Sequence, residues 1–154
     1  MDTILLDTIT FDYLLHSPAN LSRKAADAIN KAGVLFVSVA SLWEMTSHIR
    51  TGKITINAPF DLYINDALAT FGVSLLPVDW QALAYLTTFE IVEIKKPFER
   101  ITKGGETVQG IKTELHKDPF DRMLLAHALA LRVPIVSPDQ LFPHYESLGL
   151  RLIW

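Results

Sequence analysis

The chain has no cysteine. Disulfides and thiolate metal sites are therefore excluded, and any bound metal must sit on oxygen or imidazole. It has no apolar run near the roughly 18 residues needed to span a bilayer, so no membrane role is expected. It has no internal repeat and no low-complexity tract. It also lacks positive charge: 14 Lys and Arg against 17 Asp and Glu leave a net charge of -3. A generic nucleic-acid binder carries a basic face, so a nucleic-acid partner would need cations to bridge part of the charge conflict. The start, "MDTILLDTIT", has neither the basic opening nor the long apolar stretch of a signal peptide. Together with the missing cysteine, this sets the expectation of a cytoplasmic protein.

What is present is an ordinary globular composition, 49% hydrophobic and 20% charged, over 154 residues. That is enough for one domain, 1–154, with a real core. Short apolar runs alternate with amphipathic stretches. "TILL" (3–6), "VLFVS" (34–38), "VSLLPV" (73–78) and "PIVS" (134–137) read as strands, with "RLIW" (151–154) as a fifth. Between them, Phe11, Leu14 and Leu15 fall at helical spacing. Ser22 caps a helix over 23–32, and Ser38 or Ser41 starts one carrying Leu42, Trp43, Met45 and Ile49. Pro59 opens a helix closed by Gly72, Asp79 caps one over 80–86, and another spans 119–131. The alternation predicts an α/β fold: a parallel sheet of four to five strands covered by helices on both faces.

Residues 90–115, "EIVEIKKPFERITKGGETVQGIKTEL", break this rhythm. The stretch is far longer than the usual connection of about 4–6 residues. Gly104 and Gly105 sit between β-leaning segments, which predicts an inserted hairpin. Its charges are mixed, with Lys95, Lys96, Arg100, Lys103 and Lys112 against Glu90, Glu93, Glu99, Glu106 and Glu114. Such a hairpin is either a solvated protrusion or an arm for substrate or partner.

In open parallel sheets, ligands bind beyond the carboxyl ends of the strands. Asp7 follows the first strand and Asp139 follows the fourth. Asp118 and Asp121 open the helix "DPFDRMLLAHAL" around Pro119. They could cap that helix and favour its dipole, or join a metal site. A helix running straight back into the fourth strand is expected to start near the strands' amino ends, away from Asp7 and Asp139. Glu44, in "SLWEMTSHI", shares a helical stripe with Ser41 and His48. The five histidines have no ligand spacing and read as structural or surface residues, His116 being the one that abuts the acids. Trp43, Phe120 and Trp154 read as packing residues.

Four segments carry a family resemblance: "LLDT" at 5–8, "VSVASLWEMTSHIRTGKI" at 37–54, "HKDPFDRMLLAHAL" at 116–129 and "VPIVSPDQLF" at 133–142. In this order they resemble the PIN-domain ribonucleases, specifically the VapC-type toxins of toxin–antitoxin pairs, over nearly the whole chain. The resemblance implies a PIN-like fold and four metal-binding, catalytic acids: Asp7, Glu44, Asp121 and Asp139. It makes Asp118 an extra acid that helps the site or caps the helix. Thr8 and Ser137 become accessory candidates; Ser137 stands where Thr is common, and either hydroxyl can hold a carboxylate. The long 90–115 segment departs from the short link usual in the family.

Hard oxygen ligands suit Mg2+ or Mn2+. The implied activity is metal-dependent hydrolysis of RNA phosphodiester bonds, restrained by a cognate antitoxin protein, in a protein that is frequently a homodimer. Arg122, Arg50 and Lys53 are candidate RNA contacts. Two rival readings are a housekeeping nuclease without antitoxin and a non-catalytic nucleic-acid or protein-binding module on the same scaffold.

Overall fold

Ile4, Leu5 and Leu6 are apolar on both sides of the chain, which is stable only in a sheet covered on both faces. The computed structural model describes residues 2–154. Its elements in chain order are β1 (Thr3–Leu6), α1 (Thr8–His16), α2 (Arg23–Lys31), β2 (Val34–Ser38), α3 (Val39–Arg50), α4 (Phe60–Phe71), β3 (Val73–Leu76), α5 (Trp80–Leu86), β4 (Glu93–Ile101), β5 (Thr107–Leu115), α6 (Pro119–Leu131), β6 (Ile135–Val136) and β7 (Leu152–Ile153). Short 3-10 helices cover Pro18–Asn20 and Phe142–Leu148. The latter was not expected; it carries Phe142 and Tyr145 into the core.

Five strands form one parallel sheet in the order β3-β2-β1-β6-β7, as the α/β pattern predicts. The strand expected over 73–78 stops at Leu76, because Pro77 has no N–H to offer a ladder. Side chains alternate across the sheet. Ile4, Leu6, Val37 and Val136 pack with Phe11, Ile29, Met45 and Ile64, which come from α1 to α4. Leu5 and Ile135 face the other way, onto Leu124, Leu125, Ala128 and Leu129 of α6 and onto Phe142 and Tyr145. No helix of the described residues is long and apolar enough to cross a membrane.

This topology positions the site. From β1 the chain moves outward through β2 to β3, then returns to place β6 and β7 on the other side of β1. Loops therefore leave β1 and β6 in opposite directions, opening a crevice at their carboxyl ends. The start of α6 also lies at this edge, contrary to the expectation of a start near the amino ends. The physical reason is simple: a helix that feeds a parallel strand must finish at that strand's amino end, so it begins at the carboxyl end. α6 does this through Arg132, whose left-handed conformation (φ 54°) turns the chain toward β6.

The predicted hairpin at 90–115 forms as β4 and β5, antiparallel from Glu93 opposite Leu115 to Ile101 opposite Thr107. Its turn is held by Thr102 N–H to Glu106 O (2.8 Å) and Gly105 N–H to Thr102 O (2.9 Å). Gly105 adopts φ 81°, a conformation that favours glycine. At the root, Ile94 is buried and His116 N–H donates to Val92 O (3.1 Å).

Candidate active site

Register brings the first pair of functional residues together. Leu6 stands beside Val136 in the β1–β6 ladder, so Asp7 and Ser137, one step beyond each strand, are neighbours. Asp7 is the N-cap of α1: one carboxylate oxygen accepts the Thr10 backbone N–H at 2.6 Å. The other accepts the Ser137 hydroxyl. Ser137 in turn accepts the Asp139 N–H (3.0 Å), and Asp139 accepts the Leu141 N–H (2.7 Å). The loop after β6 is thereby folded back onto the end of β1. Asp7 is 3% exposed, and burial pushes its pKa from 3.8 up to about 6 against the pull of these hydrogen bonds. The negative charge of Asp121 adds to the rise.

Glu44 reaches the same place from the middle of α3. It accepts the Thr8 hydroxyl, with His48 Nε2 at 3.8 Å on its other oxygen. Burial raises its pKa, and Asp121 and Asp118 push the same way. Asp118 is the N-cap of α6 and accepts the N–H groups of Phe120 (2.9 Å) and Asp121 (3.2 Å). Asp121 follows in the first turn, and its pKa is also raised, chiefly by burial, then by Asp118 and Asp139. The capping question has a double answer: Asp118 caps, while Asp121, one turn in, lines the pocket with the other acids.

Asp7, Thr8, Glu44, Asp118, Asp121 and Asp139 line one pocket of about 170 Å³. The amino ends of α1 and α6 both open there, and their dipoles offset part of the mutual repulsion. Among the described residues no three carboxylate or imidazole groups are already drawn into a metal cage. Like charges without a cation relax apart, and Mg2+ keeps several waters, so a few converging carboxylates are enough to hold it.

Sequence reasoning undervalued His116. It is buried, and both ring nitrogens are engaged: Nε2 with Asp121 Oδ2 (3.0 Å) and Nδ1 with the Tyr145 hydroxyl (2.9 Å). An ionised Asp121 can only accept, so Nε2–H donates to it. The chain Tyr145–His116–Asp121 thus fixes the orientation of one acid from behind. The signal in the sequence was only its position before "KDPFD"; Tyr145, far along the chain, gave no signal. Of the other histidines only His48 approaches an acid of the pocket, Glu44 at 3.8 Å. His16 bonds Asp12 and Tyr63, and burial on α6 pushes the pKa of His127 down. Trp43 is another correction. It meets Phe120 edge to face at 5.1 Å, yet remains 67% exposed beside Glu44. Trp154 packs on Tyr13. Arg50 is exposed at the last position of α3 and Lys53 is exposed just beyond it, while Arg122 is half-buried on α6. None of the three lines the acid pocket.

The family model described as PIN domain matches residues 4–148. Several solved structures share the fold. VapBC2 from Rickettsia felis, bound to a DNA fragment from its promoter, aligns with a TM-score of 0.57 at 12% identity, covering 97% of this chain and 96% of that one. VapBC-1 from nontypeable Haemophilus influenzae aligns at 0.55 and 15% identity, covering 97% and 96%. FitAcB from Neisseria gonorrhoeae aligns at 0.54 and 12% identity, covering 97% and 95%. A search of curated proteins found no match.

Proposed function

The chain belongs to the PIN-domain family, and from that premise we propose that it is a metal-dependent endoribonuclease acting as the toxin of a toxin–antitoxin pair. The observation that carries the nuclease reading is the convergence of five acids from four separate elements on one pocket at the sheet's topological switch point. Asp7 and Asp121 are the primary ligands of Mg2+ or Mn2+, and Glu44 and Asp139 complete the set. The donor set fits such an ion: beside Ile9 and Leu124, the polar side chains lining the pocket all offer hard oxygens, and burial and crowding raise the pKa of three of the carboxylates, Asp7, Glu44 and Asp121. When bound, the ion would neutralise the carboxylates, take up the scissile phosphate and activate water for in-line attack.

The chain's own residues supply the positioning. Ser137 and Thr8 hold Asp7 and Glu44 by their hydroxyls, and His116 holds Asp121. Asp118 starts α6 so that Asp121 sits in its first turn. Arg122, Arg50 and Lys53, lying outside the pocket, are at most remote contacts to RNA phosphates. We read the chain as one domain, 1–154, with 90–115 inserted into it. The toxin reading is supported by the VapBC and FitAcB assemblies that share its fold. The partners it calls for are an antitoxin that blocks the acid pocket and a second copy of the chain.

RNA cleavage by purified protein, with Mg2+ or Mn2+ and with chelator as the control, tests the nuclease reading. Asp7→Asn and Asp121→Asn run beside it. Cleavage that needs the metal and both aspartates is expected. Neither cleavage nor metal binding by the unaltered protein would return the acids to a structural role and favour a non-catalytic binding module. Growth arrest on expression, relieved by Asp7→Asn, is the expected mark of a toxin; its absence alongside cleavage would indicate a housekeeping nuclease.

A further inference from the structure

The charges of the hairpin are mixed in sequence, but the register sorts them. Cross-strand partners share a face, and successive residues alternate between faces. Lys96 stands opposite Lys112, Phe98 opposite Gly110, Arg100 opposite Val108 and Ile94 opposite Glu114. One face thus carries three cations, Lys96, Arg100 and Lys112, against the single carboxylate of Glu114. The other carries Lys95 against Glu93 and Glu99. Glu114 is shared between two lysines, 2.6 Å from Lys112 Nζ and 3.9 Å from Lys96 Nζ, and both lysine side chains remain about half exposed. The cationic face keeps an excess of positive charge in a protein whose net charge is -3.

This face leads to the acid pocket. Ile94, Lys96 and Glu114 line a groove of about 400 Å³ whose other wall includes His116, Asp118 and Asp121. Asp118 and Asp121 also line the acid pocket, so the two depressions share a wall. Phe98 lies between Lys96 and Arg100 on the same face. It packs over Gly110, where a Cβ would come within 2.9 Å of the ring, and it stays partly exposed. Alternate residues on a strand stand about 7 Å apart. A row of cation, ring and cation ending at an acid pocket has the chemistry of a single-stranded nucleic-acid track, with cations for phosphates and a ring for a base.

We propose that the Lys96, Phe98, Arg100 and Lys112 face of the hairpin is a substrate arm, which holds the backbone of single-stranded RNA and leads it into the acid pocket. Taking RNA as the occupant rests on the nuclease reading. Charge complementarity selects it: an anionic chain meets the cationic face first and reaches the carboxylates where a cation can bridge them.

The test is fluorescence anisotropy with a labelled single-stranded RNA of about 12 nucleotides, in chelator so that none is cut. The unaltered protein is compared with the triple variant Lys96→Gln, Arg100→Gln, Lys112→Gln, and with Lys95→Gln on the opposite face. All four residues are solvent-exposed, so folding should be kept, as matching melting curves would verify. The triple variant is expected to lose about tenfold or more in affinity at low salt. The slope of log affinity against log salt should flatten by about 2, from roughly 0.7 per cation. Lys95→Gln should stay within about twofold, and the exchange Lys96→Arg, Arg100→Lys, Lys112→Arg should restore binding. With Mg2+ present, the triple variant should raise KM and leave kcat unchanged. Equal losses in the triple variant and Lys95→Gln, or no loss in either, would overturn the arm. Unchanged RNA affinity with a lost dimer or antitoxin complex would assign the face to a protein and overturn it too. Face-dependent binding with neither cleavage nor metal binding by the unaltered protein would sink the nuclease reading and leave the face as an RNA-binding surface.

Discussion

Replacing Asp7 by Asn in metal-free protein is expected to stabilise the fold at neutral pH, and to do so less as the pH falls. Asp7 is 3% exposed and its pKa is pushed from 3.8 to about 6, burial being the largest cause. Its folded pKa lies above its unfolded one, so between these values the folded state binds more protons than the unfolded chain. Stability contributed by this site is therefore lost as pH rises from about 4 to about 6, and the full cost applies above that. At about 1.36 kcal/mol per unit, the ionised carboxylate costs about 3 kcal/mol at neutral pH. Asn keeps an oxygen for the Thr10 N–H, but its NH2 cannot accept the Ser137 hydroxyl, which costs about 1 kcal/mol. The variant should gain about 2 kcal/mol near neutral pH and lose about 1 kcal/mol near pH 4. Urea unfolding of both proteins in chelator, across that pH range, measures the difference directly. A difference that does not change with pH, or a variant already less stable near pH 7, would refute the burial argument. Adding Mg2+ should reverse the order. The unaltered protein gains about 2.7 kcal/mol at a ligand concentration 100 times Kd, and the variant gains much less. An equal gain in both would remove Asp7 from the ligand set.

Substitutions at three further positions separate positioning from capping. His116→Gln should lower kcat about 10- to 100-fold by releasing Asp121, with RNA affinity unchanged, and Tyr145→Phe should cost less. Activity within twofold for His116→Gln, in a variant shown to be folded, would make the Tyr145–His116–Asp121 chain a packing feature. Asp118→Ala should cost about 1 kcal/mol of stability through the lost cap, while Asp118→Asn should keep both stability and most cleavage. Asp118→Asn losing as much cleavage as Asp121→Asn would promote Asp118 from cap to ligand.

Much of the fold was open to a reading of the chain, because apolar runs and caps are local signals. "TILL" and "VLFVS" are too short and too evenly apolar for surface helices, and they form β1 and β2. Ser22, Asp79 and Asp118 cap the helices that follow them. Gly72 ends α4 in the left-handed conformation. The acids Asp7 and Asp139 could be placed at one edge because each follows a strand of a parallel sheet. Asp121 could not, because the helix direction was reasoned from the wrong end. Glu44 stood out only through its resemblance to a motif, since its burial depends on α3 packing against α1 and α6.

Sequence alone therefore determined which elements form and which acids are available: helix and strand periodicity, caps and turns are set by neighbours a few residues apart. Tertiary structure decided what those acids and charges do. Only the β1–β6 register places Ser137 on Asp7, more than a hundred residues away in the chain. Only the docking of the 3-10 helix Phe142–Leu148 sets Tyr145 behind His116. And only the pairing of β4 with β5 turns a mixed run of lysines and glutamates into one cationic face and one that is not. A side chain's neighbours along the chain fix its direction from the backbone; which groups meet it there, and so its charge state and its chemistry, depends on long-range packing.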